Sequence, residues 1–376
     1  MKIAVIGSGN AGIISTIMSL YIHRSYNTKD PEITVFHDPN TPTEIVGQGT
    51  TIDVSRAIHK ILKVDEKFNN KVGITPKVGF LYKNWARKDK NLLYKLGGNG
   101  MSYHYDPKLL REHFLKSNIA KFVEKKVSPE DIEVEFDFVF DCRGKSCNDW
   151  ENYDVLESPV NSCLLGRIEG NRAHEVWTEN IATPDGWCFK IPLSNGHSYG
   201  YVFNSEITSS EEARKNFKEL LGVDTVDEIS FKNYLAKNFF YKNSKKTILN
   251  GNRLFFLEPL ESTATPMYGV TATTAINMMY IPDPKYYVIN LRSRLKEVHE
   301  WILWHYYFGS HYDTKFWKYA KDLSRSYRYS EKFIERIKYV EKTCDYDRYV
   351  DQLHFPNEIE GEFAYTDYAT WFFNNS

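Results

Sequence analysis

Apolar and polar positions follow two periods along this chain, and each change of period marks an element. Ile3-Ala4-Val5-Ile6 is an unbroken apolar run of strand length, suited to a strand buried on both faces. A helix is predicted over residues 13–21 and a second strand over residues 33–36. Residues 52–62 return to helical spacing. Residues 75–85 alternate and read as one strand, with Lys77, Gly79, Leu81 and Lys83 on one face and Val78, Phe80 and Tyr82 on the other. Asp106 and Pro107 open a helix reaching about residue 118, as cap and first-turn proline. Residues 134–141 alternate again and lead into Asp141-Cys142-Arg143-Gly144. Strands are predicted at residues 162–168, 186–193 and 199–203, and a helix at residues 209–221. Residues 252–257 read as a strand. Ser262 or Thr263 then caps a helix that continues through residues 272–280. Val288, Leu291, Leu295, Val298, Ile302 and His305 recur at helical spacing, and residues 310–327 and 329–340 continue as helices. The tail from about Phe355 reads as irregular.

The order of these elements specifies an architecture. Gly7-Ser8-Gly9-Asn10-Ala11-Gly12 is a G-x-G-x-x-G run placed after a strand and before a helix, with a second strand on schedule. A dinucleotide-binding βαβ unit has this order, because the glycines let the backbone turn tightly and approach a pyrophosphate. Gly7, Gly9, Asn10, Ala11 and Gly12 are the expected cofactor contacts, and Asp38, one residue past His37, is the expected ribose contact. The fold class is α/β, with a Rossmann-like nucleotide domain, an antiparallel β layer for substrate and a C-terminal helical subdomain. Residues 1–284 form the expected core, with the β region interleaved at about residues 75–90 and 155–245, and residues 285–376 form the helical part that covers the substrate.

Composition narrows the function. A net charge of −1 over 376 residues supplies no basic field, so nucleic acid is not an expected partner. The five cysteines are odd in number and form no C-x-x-C pair, so neither a metal site nor a disulfide framework is indicated. No apolar run is long enough to span a membrane, and no leader precedes the first strand. The expectation is a soluble, cytoplasmic protein. Aromatic residues make up 15% of the chain, which suits a pocket for a flat ligand.

Three stretches carry candidate chemistry. Gly47, Gln48 and Gly49 lie in a glycine-punctuated loop that allows close backbone approach to a ligand. Lys77 sits on a strand, where a lysine is ordinarily a solvated charge; in a dry pocket desolvation favours its neutral form. Phe256-Leu257-Glu258-Pro259-Leu260-Glu261-Ser262-Thr263-Ala264 places carboxylates and hydroxyls at a helix start, where unpaired N–H groups attract anions. His104 reads as structural.

Together these residues resemble the flavin-dependent halogenases, the group best known for tryptophan halogenation. Gly7, Gly9 and Gly12 match the FAD glycine loop, and Gly47-Gln48-Gly49 resembles the Gly-Val-Gly-Glu-Ala strap loop that lies against FAD. Lys77, eight residues before Trp85, matches the lysine of the K-x-G-x-x-F-x-x-W strand. Trp187, Phe189, Ile191 and Pro192 match the W-x-W-x-I-P signature with phenylalanine in place of the second tryptophan. Residues 256–263 resemble the F-[ILV]-[DE]-P-L-E-S-T segment, and residues 301–306 with 313–317 resemble a later helix pair. The strap has Gln48-Gly49 where Glu-Ala is usual, and Ala264 replaces glycine.

The resemblance implies an oxidoreductase in which reduced FAD, dioxygen and halide give hypohalous acid that halogenates an aromatic substrate. It implies Lys77 and Glu261 as catalytic residues and Thr263 and Ala264 as the halide site. It implies a separate flavin reductase supplying reduced FAD, a small aromatic substrate of indole or phenol type, and a homodimer. The short chain resembles the compact phage and marine branch, for which bromide or iodide is the expected halide and a bacterial or phage-infected cell the setting. Two alternatives stay open: a single-component flavin-dependent aromatic monooxygenase, and a non-catalytic FAD-binding protein.

Overall fold

The computed structural model describes residues 1–85, 91–96, 102–145, 149–242, 244–280 and 284–343. A five-stranded parallel sheet has the order β17 (Thr247–Leu249), β9 (Phe138–Asp141), β1 (Lys2–Ile6), β2 (Glu32–His37), β8 (Lys121–Glu124). Both faces of β1 are covered, which is why its residues are almost all apolar. Ile3 and Val5 join the main core with Ile13, Ile14 and Ile17 of α1 (Asn10–Ser25). Ala4 and Ile6 face a smaller cluster containing Val127, Ile132 and Phe136; Ile132 belongs to the short helix α4 (Pro129–Ile132).

The second layer is a seven-stranded sheet ordered β15 (Asp227–Ser230), β11 (Ser162–Glu169), β14 (Gly196–Phe203), β13 (Gly186–Leu193), β12 (Trp177–Thr183), β5 (Gly79–Lys83), β6 (Leu92–Lys95). All neighbours are antiparallel except β12 and β5. Two small antiparallel sheets bridge the layers: β3 (Gln48–Gly49), β7 (Ser102–Tyr105) and β4 (Thr75–Lys77), and β10 (Tyr153–Leu156), β16 (Asn233–Ala236) and β18 (Phe255–Phe256). The remaining helices are α2 (Ile52–Leu62), α3 (Pro107–Leu115), α5 (Ser210–Leu221), α6 (Ala264–Tyr280), α7 (Pro284–Phe308), α8 (Lys315–Ser326) and α9 (Glu331–Thr343). Asp106 caps α3 by accepting from Lys108 N and Leu109 N, and Ser209 caps α5 by accepting from Glu212 N. Among the described residues no helix is long and apolar enough to cross a membrane.

Several predicted elements differ. The strand over residues 75–85 is broken at Val78, whose N–H donates to Val176 O and whose carbonyl accepts from Leu96 N. β4 therefore belongs to a small sheet and β5 to the large one. The break resets the alternation: Lys77 is buried along with Phe80 and Tyr82, and Leu81 and Lys83 are only partly covered. The strand over residues 252–257 shrinks to Phe255–Phe256, because Gly251 turns at φ 66° into a short 3-10 turn. Residues 134–137 are not strand, and α3 stops at Leu115. The strands Trp177–Thr183 and Thr247–Leu249 were not predicted. The tail from Phe355 lies outside the described residues.

Candidate active site

The cofactor cleft forms where β1 hands the chain to α1. Gly7 turns at φ 113°, and its N–H donates to Phe36 O at 2.8 Å. A Cβ on Gly12 would lie 2.0 Å from Gly7 O, so only glycine lets α1 start against the loop. A Cβ on Gly9 would meet no protein atom within 4 Å. Its open side faces a cleft of about 350 Å³ whose walls include Asn10, Ala11, Asp38 and Arg143. Arg111 enters the same cleft, donating from Nε to Ser8 Oγ at 3.0 Å and from Nη1 to Thr41 O at 2.7 Å. Arg143 is held by Asp141 through two bonds of 2.8 Å. The helix N-terminus and two fixed guanidinium groups fit a pyrophosphate. Asp38 stands at the end of β2, its Oδ1 accepting from Asn40 N at 2.9 Å. Arg111 escaped the sequence reading because it lies in the middle of α3, far along the chain from the glycine loop.

Gly9→Val is expected to lower the melting temperature slightly, since valine is a poorer N-cap for α1 than glycine, while weakening FAD binding by about tenfold or more. Thermal unfolding without flavin and a flavin-fluorescence titration check the two halves.

The strap loop ties the cleft to a second wall. Glu44 accepts from Asn10 Nδ2 and from Gln48 Nε2. Gly47 N donates to Ser198 Oγ at 3.0 Å, and a Cβ at Gly47 would press on Ile191 Cγ2 at 3.0 Å. A Cβ at Gly49 would lie 2.8 Å from Lys77 Nζ and 3.0 Å from Ser262 Oγ. An alanine at Gly49 would therefore require the end of the Lys77 side chain to shift. Thr265 Oγ1 donates to Gly49 O, joining the loop to the first turn of α6.

Lys77 is 1% exposed, and its Nζ sits 4.0 Å over the Phe80 ring. Burial lowers its pKa to about 7, against the attraction of Glu261, which favours the charged form. His104 lies nearby with Nε2 2.9 Å from Thr178 Oγ1; burial first, and Lys77 second, hold it neutral, in keeping with a structural role.

Glu261 and Ser262 occupy the left-handed region in succession, at φ 67° and 51°. Such a conformation costs a non-glycine residue energy and is found where a side chain must be aimed. Glu261 is buried. Its Oε1 accepts from the Tyr82 hydroxyl and lies 2.9 Å from His305 Nε2. Nothing in the sequence points to either partner; His305 there is a position on the helical face that begins at Val288. Of the two predicted caps, Ser262 and Thr263, Thr263 makes none: among the described residues its buried hydroxyl has no hydrogen-bond partner. It sits beside the first N–H groups of α6, which have no acceptor within the helix.

The signature residues lie on β13. Trp187 Nε1 donates to Tyr306 Oη at 2.7 Å, and Tyr306 donates to Glu258 Oε2 at 2.7 Å. Burial pushes Glu258 up to about 8, so this first carboxyl of the segment is neutral at pH 7 and structural. The tip of the Phe189 ring packs against Gly200, where a Cβ would fall 2.1 Å from its Cζ. Ile191 and Leu193 press on the strap at Gly47, and Pro192 O accepts from Thr75 Oγ1 at 2.7 Å.

Residues 2–127 and 111–360 match the tryptophan halogenase family. The chain belongs to that family. It is 24% identical to tryptophan 7-halogenase KtzQ of Kutzneria sp. (strain 744) over 202 residues, which is 50% of this chain and 36% of that protein. It is 28% identical to tryptophan 7-halogenase RebH of Lentzea aerocolonigenes over 160 residues, which is 40% of this chain and 29% of that protein. The chain thus matches about a third of the length of these curated relatives. A flavin-dependent halogenase from Xanthomonas campestris, Xcc4156, superposes with a TM-score of 0.78 at 17% identity, covering 100% of this chain and 88% of that one. The α/β class read from the sequence, with a Rossmann-like cofactor domain, an antiparallel layer and C-terminal helices, is the fold of these halogenases.

Proposed function

We propose that this chain is a flavin-dependent halogenase that uses reduced FAD, dioxygen and a halide to make hypohalous acid and halogenate an electron-rich aromatic of indole or phenol type. The observation that carries the reading is Lys77: a buried lysine held near neutrality beside a buried glutamate, on a wall that the strap loop links to the cofactor cleft. FAD, when bound in reduced form, supplies the activation of dioxygen on which halide oxidation depends. Gly7, Gly9, Asn10, Ala11, Gly12 and Asp38 hold it, with Arg111 and Arg143, and Gly47, Gln48 and Gly49 form the strap beside it. Residues 1–284 carry the cofactor and substrate layers, and residues from 285 onward cover the substrate.

The protein's own side chains account for the rest. Thr263 Oγ1 and the N–H of Ala264 bind the halide, since an anion needs donors and little else. Lys77 holds the hypohalous acid by hydrogen bond and presents the halogen to the aromatic ring. As the carbon–halogen bond forms the oxygen–halogen bond breaks, and the leaving hydroxide departs as water with a proton that the ring proton taken by Glu261 replaces. Glu261 stabilises the ring cation and takes its proton. Trp187 and Phe189 keep substrate away from the cofactor. The chain requires a separate flavin reductase, which delivers reduced FAD by diffusion.

Thr263→Val is expected to be neutral or stabilising by about 1 kcal/mol, because it removes an unpaired buried hydroxyl. The same change raises the KM for halide about tenfold. Urea unfolding and halide-dependent initial rates test the pair of effects.

The function itself is tested with FAD, a flavin reductase, NADH and a panel of indoles and phenols, with chloride, bromide and iodide in separate tubes. A halogenated product from the bromide or iodide tube is the expected result. A hydroxylated product formed without any halide would mark a monooxygenase, and bound FAD with no product from the whole panel would mark a binding protein.

A further inference from the structure

Glu261 is reached by two side chains from distant parts of the fold. Tyr82, on β5, donates its hydroxyl to Oε1. His305, on α7, places Nε2 2.9 Å from the same oxygen. The three groups are buried, and the Tyr82 and His305 rings lie 5.6 Å apart. In the K-x-G-x-x-F-x-x-W pattern Tyr82 stands where phenylalanine is usual, so this chain adds a hydroxyl at that point.

The other ring nitrogen decides the proton count. His305 Nδ1 lies 2.7 Å from the carbonyl oxygen of Trp301, one turn back on the same helix. A carbonyl only accepts, so Nδ1 carries a hydrogen. Nε2 then faces a carboxyl oxygen at 2.9 Å. A bare nitrogen lone pair against a bare carboxylate would repel at that distance, so one proton lies between them. A buried carboxylate without compensation is expensive, and an adjoining cation together with a hydroxyl donor offsets that cost.

We infer that His305 is the charged positioning partner of Glu261: an imidazolium, doubly hydrogen-bonded between Trp301 O and Glu261 Oε1, that with Tyr82 keeps Glu261 ionised and aimed. This rests on the halogenase reading for its catalytic meaning, though not for its protonation claim. Among the described residues, three titratable groups face the pair. Lys77 approaches Glu261 from β4, Tyr82 from β5, and the neutral Glu258 follows through Tyr306, the residue after His305. With His305 positive and Glu261 negative, the pair is neutral overall. Lys77 then keeps its own near-neutral state without facing a lone carboxylate. The ring proton of the substrate passes to Glu261 as a carboxylate, and His305 holds its own proton throughout.

The test is nitrogen NMR of the histidine-labelled protein at neutral pH, with the His305 signals assigned by their loss in H305Q. Both ring nitrogens of His305 are expected to be protonated in the wild type, and E261Q is expected to convert the ring to the neutral form protonated at Nδ1. A neutral ring in the wild type overturns the inference, whatever the activity. In parallel, H305Q, which can donate a hydrogen bond without the charge, is expected to lower kcat by about tenfold or more, with the substrate KM little changed. Undiminished kcat in folded H305Q also overturns it. If wild-type protein halogenates nothing, the functional reading fails by itself, and the NMR result still decides the charge of His305.

Discussion

Lys77→Met is expected to make the protein more stable and to cut turnover by orders of magnitude. The stability effect follows from proton linkage. The folded pKa is about 7, against an ordinary 10.5. Between those values the unfolded chain binds the extra proton and the folded one does not, so stability rises with pH across that window. The cost of the lysine is complete at and below pH 7 and vanishes above about 10.5. Its size is up to about 5 kcal/mol, each pKa unit being worth about 1.4 kcal/mol. Methionine is similar in length and carries no charge, so it removes this cost while filling the space over Phe80. Loss of the attraction to Glu261 trims the gain. Urea unfolding of both proteins from pH 6 to pH 10 is the check: the difference should be largest at the acid end and close toward the alkaline end. Turnover should fall by about 10² to 10⁴, because methionine can neither donate to nor hold the hypohalous acid. In the wild type kcat should climb as pH rises through about 7, as the neutral amine becomes the major form.

Glu261→Gln should cost a similar factor of about 10² to 10⁴ in product formation, for a different reason. Glutamine keeps the shape and can still accept from Tyr82, so the left-handed turn at Glu261 and Ser262 should survive. It cannot take the ring proton, and it presents no negative charge to the ring cation. Dioxygen consumption should continue at an unchanged rate, because the glycine cleft and the halide site are untouched. The expected signature is therefore uncoupling: reduced flavin consumed, little product made. Parallel oxygen-electrode and product measurements would give that ratio. A loss of oxygen consumption in step with product would instead place Glu261 in cofactor or halide handling.

How much of this was legible depended on whether the determinants were local. The glycine loop could be read because strand, turn and helix start are adjacent in sequence. The Asp106 cap could be read because a cap bonds to residues two or three positions on. The burial of Lys77 followed from the motif and not from the alternation, which put it with Leu81 and Lys83. That alternation presumes one continuous strand, and Val78 breaks it through pairings with Val176 and Leu96. The partners of Glu261 were not legible. Tyr82 is 179 residues away and His305 is 44, and nothing near Glu261 in the chain announces either. Thr263 makes no cap because it already has helical dihedrals, φ −73° and ψ −19°, where a cap residue is extended.

The central claim is that the protein transfers halogen, and not oxygen, to an aromatic ring. The most direct test is the product mass from wild-type protein with FAD, flavin reductase, NADH, bromide and catalase under heavy-oxygen dioxygen. The account predicts a product with the bromine isotope doublet and no heavy oxygen, absent from K77M and E261Q. A product carrying one heavy oxygen and no bromine, formed equally well by K77M, would contradict it.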